Sequence, residues 1–361
     1  DNWGSIITKR GIVFEFKTPI KSELLKWFLD IQTLPQDGPS GLYKLMIVPG
    51  LENDMAVYLY DGSKVYGYNA GSGSKGDAIE FYKSVISSIE QDEKYEGEAY
   101  NIARDTARGG KDPSFISPDI LCVLTGTKYR ELRSISYSIP PKVSDMEEMA
   151  AAIFKGNEKD SYDRYEDLAG NIIFKNLDRI YRVYKSGLLE YSYLPGVDGT
   201  ERGTAGAAFI RASEFIARVN KHINPGADLF ISNIKEEENF YRFTFDYKIN
   251  DTPVYINYIP KSRSDEPVRN ALVIEASGRR ILSCRWLLKA FEQGSAAGSF
   301  NLSIEDLLEA SGLKKNEIFI RDMGVAYAVE SDVATKQDPV WAIDTADDKS
   351  HFVKMRRKQG E

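Results

Sequence analysis

The chain has 361 residues, of which 42% are hydrophobic and 28% charged, and its formal net charge is −7. That balance is the profile of a soluble globular protein and excludes a disordered chain. Its sign weighs against a nucleic-acid partner, because phosphate backbones are held mainly by Lys and Arg.

At about 100–200 residues per domain the length points to two or three domains. The 21 tyrosines and 17 phenylalanines favour β-rich structure. Cys122 and Cys284 lie in apolar, strand-like contexts without a CxxC, so they read as buried thiols and not as a disulfide framework. No stretch approaches the ~18 apolar residues of a membrane span, and no signal peptide is visible. A sequence starting at Asp1 without Met is what a fragment behind a removed or omitted segment would show, and a trimmed cytosolic protein would show it too. The basic run Lys354-Met355-Arg356-Arg357-Lys358 reads as a solvated tail.

In chain order, alternation predicts a strand over 6–16, and Ser22 caps a predicted helix over 23–32. A strand over 43–48 follows, then a hairpin pairing 55–60 with 65–68 across Asp61-Gly62. A helix over 77–91 and strands over 118–124 and 130–138 complete the first third. Pro140-Pro141 marks a boundary, since consecutive prolines continue neither a ladder nor a helix. Ser144-Asp145-Met146-Glu147 is a capping box for a helix that Gly156 closes. Strands are expected over 162–165, 171–174, 180–184 and 188–193, with a polar linker over 196–203. The pattern then recurs, with a helix over 205–219 and strands over 228–234, 241–248, 254–258, 272–275 and 280–285. A third helix over 303–310 precedes strands over 317–320, 325–329, 340–344 and 351–354.

This order predicts a multidomain α+β protein, with helices packed on antiparallel sheets and a repeated unit of helix then hairpins. It divides into 1–139, 140–203 and 204–361. Long parallel crossovers with fully apolar strands are absent, which counts against a doubly wound fold.

Candidate chemistry is sparse. Gly71-Ser72-Gly73-Ser74-Lys75-Gly76 spells GxGxxG, but the strand before it belongs to a hairpin and is antiparallel to its neighbour. A flexible Gly/Ser loop is the better reading than a dinucleotide site, and the S-x-x-K match inside it lacks companion motifs. His222 and His351 are the only histidines and hold no ligand spacing. Glu236-Glu237-Glu238 reads as a solvated turn. A glycosidase-type pair of carboxylates stays open, because its members need not be neighbours in sequence.

The segment from Asp178 to Pro195, DRIYRVYKSGLLEYSYLP, carries four tyrosines around a Lys185-Ser186-Gly187 turn. Along its first strand Tyr181 and Val183 share one face, and Ile180, Arg182 and Tyr184 the other; Tyr191 and Tyr193 share a face with Leu189. Sheet core with cross-strand aromatic pairs explains most of this. Arg182, Tyr184, Tyr191 and Tyr193 are the residues singled out as a candidate partner or ligand face. No catalytic residue, cofactor or metal ligand is expected.

Taken together, Ile153-Phe154-Lys155-Gly156-Asn157, then Ala169-Gly170-Asn171-Ile172-Ile173-Phe174, then Tyr184-Lys185-Ser186-Gly187-Leu188-Leu189-Glu190-Tyr191 resemble the middle segment of the YycH family. Ala169 stands where Asp is usual. ALVIEASGRRILSCRWLLKAF (271–291), IRDMGVAYAV (320–329) and DPVWAID (338–344) extend the similarity, which covers roughly residues 145–355. The resemblance implies an extracytoplasmic protein, anchored by one N-terminal transmembrane helix absent from this sequence. It further implies a non-enzymatic regulator of a sensor histidine kinase of the WalK (YycG) type, acting with a YycI-like protein. An alternative from the residues is a secreted or surface binding protein for a cell-wall fragment or peptide, using Tyr181, Tyr184, Tyr191 or Tyr193. A carboxylate-based hydrolase is the third reading.

Overall fold

The computed structural model describes residues 3–29, 38–49, 55–70, 76–91, 98–101, 114–117, 120–124, 133–139, 143–154, 162–195, 202–223, 225–250, 252–258, 269–296, 300–301, 310–312, 319–347 and 349–357, with 103, 107 and 307 singly. The N-terminal segment forms α1 (Trp3–Ile6), β1 (Ile12–Lys21), α2 (Ser22–Leu29), β2 (Gly41–Pro49), β3 (Met55–Tyr60), β4 (Val65–Ala70) and α3 (Gly76–Gln91). Then come β5 (Glu98–Asn101), β6 (Leu121–Leu124), β7 (Arg133–Ser138) and α4 (Val143–Phe154). Four strands follow, β8 (Asp163–Glu166), β9 (Ile172–Lys175), β10 (Arg179–Val183) and β11 (Leu188–Tyr193). After them α5 (Ala205–Ile223) leads to β12 (Asp228–Glu236), β13 (Tyr241–Ile249), β14 (Thr252–Ile256), β15 (Leu272–Ala276) and β16 (Ile281–Leu287). Last are β17 (Ala290–Ala296), β18 (Phe300–Asn301), β19 (Ile320–Val329), β20 (Ala334–Gln337), β21 (Val340–Thr345), β22 (Ser350–Lys354) and β23 (Arg356–Arg357).

The protein is α+β, built on mostly antiparallel sheets with a few packed helices. One large sheet runs in the order β22-β21-β19-β14-β13-β15-β16-β11-β10-β9-β8. Tyr241 to Phe245 of β13 pair with β15 on one edge and with β12 on the other, so the sheet branches at β13. Smaller sheets are β1-β2-β3-β4, β17-β7-β20, β5-β6 and β18-β23. Hydrogen bonds cross both expected divisions of the chain. Glu190 of β11 pairs with Arg285 of β16, and Tyr137 of β7 pairs with Phe291 of β17. Lys17 of β1 bridges Asp322 (3.0 Å) and Asp344 (2.7 Å), tying the first sheet to β19 and β21.

The helices line one face of the large sheet. On α5, Ala205, Ala208, Ala212, Phe215, Val219 and Ile223 are buried. Spacings of three and four make one stripe, which packs on Phe243, Leu272, Ile274, Cys284 and Trp286. Each large side chain removed from water there stabilises the fold by about 1.5–3 kcal/mol. Thr204 caps α5, its hydroxyl accepting from the Ala207 amide at 3.2 Å. Gly206 lets α2 approach closely, since a Cβ there would stand 2.7 Å from the Trp27 ring. On the opposite face, Ile135, Tyr137 and Phe291 of the β17-β7-β20 sheet meet Tyr184, Leu188, Tyr247 and Leu287.

Several sequence expectations change. The strand expected over 6–16 starts at Ile12, because Trp3 and Ile6, three apart, form a helical face buried against Met46 and Tyr60. Strands expected over 317–320 and 325–329 join as β19. β17 and β20 were not expected: AFEQGSA and ATKQ have poor strand propensity, and pairing with β7 holds them. The helix expected over 303–310 lies outside the described residues apart from isolated positions. The Asp61-Gly62 hairpin forms as expected, with Asp61 accepting from the Ser63 and Lys64 amides at 2.8 and 2.7 Å. Trp286 and Trp341 are core, and burial pushes the Cys284 thiol well up.

Candidate functional site

The four residues singled out from the sequence lie on one hairpin but on two faces of the sheet. In the β10–β11 register Tyr181 faces Tyr191, Arg182 faces Glu190 and Arg179 faces Tyr193. Alternation therefore sends Tyr191 and Tyr193 to the helix-covered face and Arg182 to the other, along with Tyr184. Tyr184 is 3% exposed and Tyr191 is 7% exposed, so most of both rings is core, as is all of Tyr181. Tyr191 packs against Phe215 with ring centroids 5.6 Å apart, and burial pushes its phenol up to about 12.

On the face away from the helices, Arg182, Glu190 and Arg285 stand side by side on β10, β11 and β16. The Tyr184 hydroxyl accepts from Arg182 Nη1 at 3.1 Å and donates to Glu190 Oε2 at 2.7 Å. Arg285 Nε lies 3.4 Å from Glu190 Oε1. Burial, then the bond to Glu190, raises the Tyr184 phenol above its ordinary range. A second rung repeats the arrangement, with Arg242 Nη2 donating to Glu275 at 2.7 Å and Ser283 donating to the same carboxylate at 2.8 Å. Each carboxylate there is held by cations or hydroxyls across the strands, so this face is an ion-paired ladder, in which Arg182 Nε and Arg285 Nε are buried without a hydrogen bond.

On the helix-covered face the open end of the same hairpin enters a groove of about 360 Å³. Tyr191, Tyr193 and Phe215 line it. Arg179 and Asp178 come from the start of β10, Arg211, Glu214 and Arg218 from α5, and Arg279 and Arg280 from the β15–β16 turn. Five arginines and two carboxylates thus line it. Arg211 bonds Glu214 at 3.0 Å, and Arg179 Nε lies 3.5 Å from Asp178. The Arg280 guanidinium sits over the Tyr193 ring, 4.6 Å from its centroid, and donates to the Tyr193 hydroxyl. Arg218 is exposed and has no carboxylate partner among the described residues. The turn presenting Arg279 and Arg280 is fixed by Ser277, whose hydroxyl accepts from both of their amides at 3.3 Å. Sequence reading passed over these arginines. The available signals were the Arg279-Arg280 pair in a turn and the seven-residue spacing of Arg211 and Arg218 on one helix.

Other sequence features resolve simply. Gly71 to Lys75 of the GxGxxG match lie outside the described residues. Glu236 pairs with Lys21 at 2.8 Å and Arg202 at 2.9 Å, and Glu237 with Lys235 at 2.6 Å, so the acidic turn is charge-balanced. His222 Nδ1 lies 3.4 Å from Glu148. No group of three or more His, Cys, Asp or Glu with metal-holding geometry occurs among the described residues. Among them, too, no helix is long and apolar enough to cross a membrane.

The fold thus defines a multi-sheet α+β protein with an ion-paired ladder on one face and a cationic groove on the other. It is a YycH-like fold: the chain is similar to the crystal structure of YycH from Bacillus subtilis, with a TM-score of 0.51 and 11% identity. The similarity covers 94% of this chain and 78% of that one. No family model and no curated protein sequence matches the chain.

Proposed function

We propose that this protein is a non-enzymatic, extracytoplasmic regulator of a sensor histidine kinase, acting through protein–protein contacts and a membrane anchor. The observation that carries the reading is the YycH-like fold extending over 94% of the chain. The motif order over residues 145–355 supports it separately, because it rests on the amino-acid sequence alone. The kinase it implies is of the WalK (YycG) type, which governs cell-wall metabolism, with a YycI-like protein as companion.

The test is co-purification of the full-length gene product with its host's WalK-type kinase from membranes, together with kinase output in a deletion strain. Association and an altered output are expected. A product that neither associates nor alters output overturns the reading. An apolar span is also expected ahead of Asp1 in the full gene product, and reading the upstream gene sequence checks it.

A further inference from the structure

The groove on the helix-covered face concentrates charge against the trend of the whole molecule. The chain carries a formal net charge of −7, yet five arginines and only two carboxylates converge on this one concavity. The ladder on the opposite face shows how the same fold places arginine for structure alone, with each guanidinium beside a carboxylate. In the groove, among the described residues, Arg218 has no such partner, and Arg280 has the ring and hydroxyl of Tyr193 in place of a carboxylate. Like charges gathered without counter-charges destabilise a fold, and a concave wall focuses their potential on whatever enters.

From this geometry we infer that the groove is a binding site for a soluble chain bearing two or more phosphate groups, of the polyphosphate or poly(phosphodiester) class. Guanidinium forks match phosphate oxygens in paired hydrogen bonds. The two positive charges of Arg218 and Arg280, which have no carboxylate partner among the described residues, exceed what one carboxylate or one phosphodiester neutralises. The arginines come from different elements. Arg211 and Arg218 are seven residues apart on α5, about 10 Å along the axis, while Arg279 and Arg280 line the groove from the β15–β16 turn. That span suits successive anionic groups along a chain. The volume, about 360 Å³, lies in the range of small-ligand sites. A concavity lined by Tyr191 and Tyr193 fits a chain lying in it and does not fit the flat surface of a bilayer. The inference rests on the groove alone and is independent of the kinase reading.

The test is calorimetric titration of the whole protein with tripolyphosphate, with citrate as a polycarboxylate control. A separate arm measures sedimentation with phosphatidylglycerol/phosphatidylcholine vesicles. Tripolyphosphate is expected to bind, more weakly as salt rises, and at least tenfold more tightly than citrate. Arg218→Glu and Arg280→Gln are each expected to weaken it at least tenfold while leaving the thermal midpoint unchanged. Lys64→Glu, the same charge reversal in the remote β3–β4 turn, is expected to leave binding unchanged. No tripolyphosphate binding, equal binding of citrate, binding to vesicles only, or equal loss in Lys64→Glu would each overturn the inference.

Discussion

The two ends of the β10–β11 hairpin are made of similar residues and live in different worlds. At the turn end, Tyr184 and Leu188 are buried under the β17-β7-β20 sheet, and Gly187 is pressed against Ile139 and the Leu288 carbonyl. At the open end, Arg179 and Tyr193 face each other on the rim of the groove. Arginine beside tyrosine occurs at both. Near the turn the pair is completed by Glu190, and at the rim Arg280 and Tyr193 have no carboxylate among the described residues to complete them. The lesson is that residue type does not separate a structural arginine from one available to a partner; the charge across the neighbouring strand does.

The largest expected effect breaks the closed end. Gly187 has φ +82°, and a Cβ there would stand 2.9 Å from both the Leu288 carbonyl oxygen and Ile139. The left-handed conformation costs a side chain about 1–2 kcal/mol, and overpacking adds about 1–3. Gly187→Ala is therefore expected to lower the urea-unfolding free energy by roughly 3 kcal/mol. A change below about 0.5 kcal/mol would show that the turn end is not held as tightly as it looks.

A buried cation sets the other limit to what a lone charge costs. Lys289 is fully buried between the rings of Tyr137 and Tyr258, and its ammonium donates to the Asp332 carbonyl at 2.6 Å. Burial pulls its pKa down to about 8, with Asp332 opposing. In the unfolded chain a lysine titrates near about 10.4. Between these values the unfolded state holds more protons, so stability rises with pH, by roughly 3 kcal/mol in all. Urea unfolding at pH 7.5 and pH 10 checks this, and Lys289→Met is expected to abolish the rise. A rise that survives in the variant would assign it to other groups.

Smaller again is the effect of opening the ladder. Glu190→Ala leaves Arg182 and Arg285 facing each other, half-buried, and removes the acceptor of the Tyr184 hydroxyl. Buried pairs broken in this way lose about 3–5 kcal/mol. With the side chain of Glu190 17% exposed and its partners more so, about 2 kcal/mol is the expectation here. Denaturant titration measures it, and an unchanged midpoint would make the ladder decorative.

Much of this frame was legible before coordinates. Alternation over 180–184 and 188–193, the stripe of α5 and the Asp61-Gly62 turn are local signals, written within a few residues, and the structure follows them. The relation between strands was not legible. Alternation tells which residues of one strand share a face, and only the register, Tyr181 against Tyr191 and Arg182 against Glu190, tells which faces coincide. Hence one candidate surface became two. The groove was hidden for the same reason: Arg179, Arg218 and Arg280 come from three distant segments, and each alone reads as a solvated charge. β17 and β20 escaped because their pairing with β7 outweighs polar, strand-poor sequences.

One chemical change made twice draws the comparison most finely. Tyr184→Phe and Tyr193→Phe each delete a hydroxyl and keep a ring. At 184 the lost oxygen joins Arg182 to Glu190 in a largely buried setting, so charged groups are left under-satisfied, and a loss of about 1.5 kcal/mol is expected. At 193 the lost oxygen accepts only from Arg280, an exposed side chain that keeps the ring beneath it and finds water in exchange. There the change is expected to stay within about 0.5 kcal/mol. Both are read by urea titration at pH 7. Equal losses would mean that the groove rim is as structural as the ladder, and that its arginines are held for the fold and not for a ligand.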